Sequence, residues 1–66
     1  MNQPSKFTEA EKLLNACQWY VLRLTSVTGA KQRFEVYNDA GILMRVFVPE
    51  QRLLDYARGV FDAQEF

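Results

Sequence analysis

The sequence contains no histidine and a single cysteine, Cys17, and its only serines are Ser5 and Ser26. Nucleophilic and acid–base catalysis most often depends on histidine or on an activated serine or cysteine, and zinc sites depend on histidine and clustered cysteines. Cys17 continues an apolar helical stripe, where an unpaired cysteine usually behaves as a small buried hydrophobe. The sequence therefore predicts a protein that is not an enzyme, with no metal, no other cofactor and no small-molecule substrate.

The chain also lacks a long apolar run and an apolar signal segment near its first residues. Its longest apolar stretches, Trp19 to Leu22 and Ile42 to Val48, are much shorter than the roughly 18 to 20 residues that a membrane-spanning helix requires. One cysteine forms no internal disulfide, which is typical of proteins in a reducing cytoplasm. We therefore expect a cytoplasmic protein with no membrane contact.

The chain also has no excess of positive or negative charge, because eight Lys and Arg residues balance eight Asp and Glu residues. This balance removes the positive surplus on which non-specific binding to nucleic acids or anionic membranes usually depends. What the 66 residues do contain is 48% hydrophobic side chains, with few glycines and prolines. Such a composition is typical of a globular protein, and the length allows one core only.

Helical patterns stand at both ends of the chain. Thr8 and Glu11 have capping-box spacing, which predicts a helix from about Thr8, a flexible leader over residues 1–7 and a single domain over residues 8–66. The first helix has the apolar stripe Ala10, Leu13, Leu14 and Cys17. Pro49 is suited to the first turn of a second helix, which Gly59 weakens or ends. The second helix has the apolar face Leu53, Leu54, Ala57, Val60 and Phe61.

Between the helices, apolar and polar residues alternate with the period of a strand. Turn signals at Thr28 to Ala30 and Asn38 to Gly41 divide this region into three strands, approximately Trp19 to Val27, Lys31 to Asn38 and Ile42 to Val48. The predicted fold class is α+β: one domain with a helix, a three-stranded antiparallel meander and a helix. Both helices cover the same sheet face, since each has one apolar stripe to bury.

Three-residue loops at both turns predict the strand register. They pair Val27 with Lys31, Leu24 with Phe34 and Arg23 with Glu35 in the first hairpin. In the second hairpin they pair Phe34 with Val46 and Glu35 with Arg45. The predicted helix-covered face is Tyr20, Leu22, Leu24, Phe34, Val36, Ile42, Met44, Val46 and Val48. The predicted uncovered face is Val21, Arg23, Thr25, Arg33, Glu35, Tyr37, Leu43, Arg45 and Phe47. The sequence leaves open whether Trp19 joins the core or the uncovered face.

The predicted uncovered face carries a row of Arg23, Glu35 and Arg45. One interpretation is a solvated ion-pair ladder that only fixes the register. The other is a binding face, because arginine interleaved with aromatic and aliphatic side chains is typical of interfaces. The predicted binding residues are Arg23, Arg33, Glu35, Tyr37, Leu43, Arg45 and Phe47.

The order of elements over nearly the whole chain is similar to that of the double-stranded RNA-binding domain. In that family a basic cluster at the start of the last helix grips phosphates across the major groove. The matching stretch here, Pro49-Glu50-Gln51-Arg52, holds one acidic and one basic residue. The resemblance therefore implies the architecture and not the RNA contact.

These patterns together predict a small non-enzymatic binding module, such as an accessory regulator, an inhibitor or an adaptor. Its partner is another protein or a second copy of itself, which would form a homodimer through the uncovered face or a free sheet edge. Its size is typical of compact proteins encoded by phages and mobile elements. The alternative is a nucleic-acid-binding module that uses the same arginines and aromatic rings, which the zero net charge does not favour.

Overall fold

The computed structural model describes residues 5–26, 29 and 32–64, and it confirms the predicted order of elements. The helices are α1 (Lys6–Ala16) and α2 (Glu50–Ala63), and the strands are β1 (Tyr20–Thr25), β2 (Gln32–Tyr37) and β3 (Leu43–Phe47). The strands form one antiparallel sheet in the order β1-β2-β3. The protein is therefore an α+β domain with a meander in which β2 is central.

Helix α1 begins two residues before Thr8. Ser5 is its N-cap, and the Ser5 hydroxyl accepts a hydrogen bond from the Thr8 backbone N–H at 3.1 Å. Thr8 is consequently inside the first turn, where its hydroxyl lies 3.0 Å from that of Ser5. Phe7, a residue of the predicted leader, packs its ring 5.7 Å from that of Phe34. The predicted leader is therefore wrong for residues 5–7, and residues 1–4 lie outside the described part of the chain.

The end of α1 is a left-handed cap made without glycine. Gln18 has a φ of 67°, and its N–H donates to the Asn15 carbonyl at 3.0 Å while the Trp19 N–H donates to the Leu14 carbonyl at 2.9 Å. This is the Schellman arrangement, in which two carbonyls of the last helical turn are satisfied as the chain leaves the helix. The Trp19 ring is half-buried and lies 6.5 Å from the Tyr56 ring of α2, so Trp19 joins the helix side of the sheet.

One apolar cluster holds both helices on the same face of the sheet, as predicted. Its buried members are Ala10, Leu14, Val21, Phe34, Val36, Leu53, Leu54 and Ala57. Polar contacts also join the helices outside this core: Arg58 forms an ion pair with Glu9 at 3.3 Å, and the Glu50 carboxylate accepts from the Phe7 N–H at 3.1 Å. Helix α2 continues through the exposed Gly59 to Ala63, so the predicted break there does not occur.

The register of the first hairpin differs from the prediction by one residue. Val21 pairs with Val36, Leu22 with Glu35, and Arg23 with Phe34. The last pair is Thr25 with Gln32, so an even number of residues separates the paired positions. The predicted three-residue loop requires an odd number. A slip of one residue moves every side chain of a strand to the opposite face. The predicted pairing of Val27 with Lys31 falls outside the described residues.

The second hairpin begins in the predicted register and then shifts. The Asn38 N–H donates to the Ile42 carbonyl at 3.0 Å, and the Asn38 side chain accepts from the Ile42 N–H at 2.9 Å. Further along, Tyr37 pairs with Leu43 but Val36 pairs with Arg45. Met44 is therefore an additional residue in β3, which is a β-bulge. The bulge reverses the facing of Arg45, Val46 and Phe47 relative to the prediction.

Only β2 has the predicted facing throughout, with Phe34 and Val36 in the core. The predicted core positions Tyr20, Leu22, Leu24 and Val46 lie instead on the sheet face away from the helices, because each pairs with an outward-facing residue of β2. Ile42, Met44 and Val48, also assigned to the core, are exposed. The predicted uncovered residues that lie instead on the helix side are Val21, Arg23, Thr25, Arg45 and Phe47.

Candidate functional site: the open sheet face

The sheet face away from the helices is the candidate site, and we call it the open face. Strand pairing places on it Tyr20, Leu22, Leu24, Arg33, Glu35, Tyr37, Leu43 and Val46. The described parts of α1 and α2 pack on the other side, against Val21, Phe34 and Val36. Within the described residues, no element of the chain covers the open face.

Most of the open face is apolar and accessible. Leu22, Leu43 and Val46 expose 44%, 47% and 48% of their surface, whereas Val21, next to Leu22 but on the helix side, exposes 4%. Ile42, Met44 and Val48 are also exposed and add apolar surface along β3. A contiguous exposed apolar patch on a small protein often marks a contact site.

Two tyrosines form one end of the open face. The rings of Tyr20 and Tyr37, which are directly paired across β1 and β2, stack with centroids 4.9 Å apart and planes 11° from parallel. Cross-strand aromatic pairs of this kind stabilise a sheet. Tyr20 is exposed and Tyr37 is half-buried, and the Tyr37 hydroxyl reaches toward the middle of the face, where it donates to Glu35.

Glu35 lies at the middle of the open face, between Leu22 on β1 and Val46 on β3. Its side chain is only 16% exposed, and its carboxylate accepts a hydrogen bond from the Tyr37 hydroxyl at 2.8 Å and pairs with Arg33 at 3.6 Å. The hydrogen bond to Glu35, followed by burial, raises the pKa of Tyr37 above its ordinary value. The carboxylate is therefore already paired within the face, which lowers the cost of removing the face from water.

The predicted binding residues divide between the two sides of the sheet. Arg33, Glu35, Tyr37 and Leu43 lie on the open face. The other three, Arg23, Arg45 and Phe47, lie on the helix side. The predicted row of Arg23, Glu35 and Arg45 is therefore wrong, because these residues do not share a face.

The helix-side residues have contacts of their own. The Arg23 guanidinium lies 5.0 Å from the centroid of the Phe7 ring, a cation–π distance. The Phe47 ring lies 5.2 Å from that of Tyr56. The bulge at Met44 thus places an aromatic ring against α2 where the predicted register would have placed it in solvent.

Cys17 is the C-cap of α1 and is half-buried. Burial raises the pKa of its thiol, which favours the protonated, weakly nucleophilic form. Among the described residues, no three acidic or cysteine side chains are grouped as metal ligands. In the same part of the chain, neither helix has the length and apolar content needed to cross a bilayer.

Comparison of the chain with protein-family models, with curated proteins and with solved structures finds no match.

Proposed function

We propose that the protein is a non-enzymatic binding module that contacts another protein or a second copy of itself through the open face. In this role it acts in the cytoplasm as a regulator, an inhibitor or an adaptor. The proposal rests on the geometry of a surface and not on a catalytic group.

The observation that carries the proposal is the orientation of β1. The more apolar of its two alternating sets, which is Tyr20, Leu22 and Leu24, lies on the open face, and the set containing Arg23 and Thr25 lies on the helix side. An amphipathic strand normally buries its more apolar set. A contact surface for another molecule accounts for this reversal, because the apolar set is then buried in the complex.

Nucleic acid is supported less well as the partner. Arg23 and Arg45 lie on the helix side, so the open face has one arginine, Arg33, and that arginine is paired with Glu35. Binding to single strands depends on a positively charged groove together with aromatic stacking. The open face has stacked tyrosines but no surplus of positive charge.

A pair of lysine substitutions tests the proposed function. Leu22→Lys places a charge on the open face beside Glu35, which is directly opposite on β2 and favours the folded state. We expect this variant to remain folded by circular dichroism and to lose both self-association, measured by sedimentation velocity, and capture of proteins from a nuclease-treated native lysate.

Asn15→Lys is the matched control, because it adds the same charge at an exposed position of α1. We expect Asn15→Lys to behave as the unsubstituted chain does. If Leu22→Lys, while folded, retained every association of the unsubstituted chain, the open face would not be the contact surface. If the unsubstituted chain captured material from an untreated lysate but not from a nuclease-treated one, the nucleic-acid alternative would be favoured.

A further inference from the structure

We infer that the occupant of the open face is a second copy of this chain, so that two sheets pack face to face in a two-fold dimer with the helices on the outside. This inference rests on the proposed function and names its partner. Its structural basis is the placement of the two charges of the face on β2.

The open face is charge-complementary to itself. Among the described residues, Arg33 and Glu35 are the two charged residues of the open face, and both point outward from the central strand. Phe34 lies midway between them, so a two-fold axis that runs across the strands at Phe34 places Arg33 of each copy over Glu35 of the other. Each carboxylate then gains a second arginine as the face leaves water, which offsets the cost of desolvation.

The apolar residues are compatible with the same axis. Leu22 pairs with Glu35 and Leu24 pairs with Arg33, so the rotation that exchanges the charged pair also places Leu22 of one copy over Leu24 of the other. The opposite choice, an axis along β2, would place Glu35 over Glu35 and Arg33 over Arg33. Repulsion between like charges disfavours that arrangement.

The net charge and the area of the face both bear on how strongly the copies associate. The chain is neutral, so two copies do not repel each other at long range. Three strands about 4.8 Å apart and about six residues long, at roughly 3.3 Å per residue, give a footprint of about 300 Å². Standard stable interfaces bury about 800 Å² per partner, so we expect a reversible dimer whose population rises with concentration.

The aligned packing of two twisted sheets is a common way to bury their apolar faces. In the proposed dimer the four layers are helices, sheet, sheet and helices. The open face of each copy becomes part of an interior, so that the more apolar set of β1 is buried in the dimer.

Charge exchange between two variants tests the inference. Arg33→Glu makes the face wholly acidic and Glu35→Arg makes it wholly basic. By sedimentation velocity, over roughly 10 μM to 1 mM to bracket weak affinities, we expect the unsubstituted chain to dimerise and each variant alone to be at least about tenfold weaker. An equimolar mixture of the two should recover the dimer, because every acidic position then faces a basic one.

The control for net charge is an equimolar mixture of Lys12→Glu and Asp62→Arg, which carry the same net charges at exposed helix positions. Each of these control variants should dimerise as the unsubstituted chain does, and mixing them should not increase the dimer population. If the unsubstituted chain stayed monomeric over the whole concentration range, the inference of a dimer would be overturned. The proposed function is tested separately, and it fails only if folded Leu22→Lys keeps every association of the unsubstituted chain. Dimerisation that both face variants retain, while folded, would place the contact elsewhere and also overturn the inference.

Discussion

At the scale of single residues, Gln18 has a backbone conformation that is unfavourable for a residue with a side chain. A φ of 67° is in the left-handed region, which costs a residue with a Cβ atom about 1 to 2 kcal/mol. The structure keeps this conformation because the Schellman bonds end α1 and place Trp19 against α2. Gln18 therefore contributes to the fold through its backbone rather than through its exposed side chain.

Gln18→Gly should stabilise the protein, since glycine adopts a positive φ without steric cost. We expect the free energy of unfolding to rise by about 0.5 to 1 kcal/mol, after allowance for the greater freedom of glycine in the unfolded chain. The urea midpoint measures the effect. Gln18→Ala keeps a Cβ atom and should show no gain; a glycine variant no more stable than the alanine variant would contradict a backbone strain larger than the entropy cost of glycine.

At the scale of elements, the two helices and β2 could be predicted from the sequence because their periodicity has one interpretation. Leu53, Leu54 and Ala57 are buried as the helical spacing predicts, and Phe34 and Val36 of β2 alternate with Arg33, Glu35 and Tyr37. Each of these patterns is therefore consistent with only one assignment of the buried face. Local sequence is sufficient where the apolar and polar sets of an element differ this clearly.

The facing of β1 and β3 could not be predicted in the same way. It depends on the number of residues between Thr25 and Gln32 and on the bulge at Met44, and periodicity describes neither. The alternation of β1 even favours the wrong side, because Leu22 and Leu24 are more apolar than Arg23 and Thr25. Four open-face residues, Tyr20, Leu22, Leu24 and Val46, were missed for this reason.

Neighbouring residues of β1 provide a direct test of the register. Val21→Lys places a charge in the core, and burying an unpaired charge costs several kcal/mol, so we expect this variant to be largely unfolded in water. Leu22→Lys places the same charge on the open face, and we expect its free energy of unfolding to lie within about 1 kcal/mol of that of the unsubstituted chain. Urea unfolding measures both, and the reverse order of stability would support the register predicted from three-residue loops.

At the scale of the whole molecule, the fold is an unsymmetrical pair of layers. The helices cover one side of the sheet with a core that contains Leu14, Phe34 and Leu53, and the other side exposes Leu22, Leu43 and Val46. A domain of this size buries only about 60% of the surface of its unfolded chain. Packing two open faces together would give the sheet a second covered side, as in other layered domains.

The proposed role of the open face is tested most directly by isotope-filtered nuclear Overhauser spectroscopy on an equimolar mixture of labelled and unlabelled chains. We expect intermolecular signals between the methyl groups of Leu22 and Leu24, with further signals from Val46, and none from the core residues Leu14 and Leu53. Intermolecular signals confined to the helices, or none at concentrations near 1 mM where weak dimers with Kd of that order are substantially populated, would contradict it.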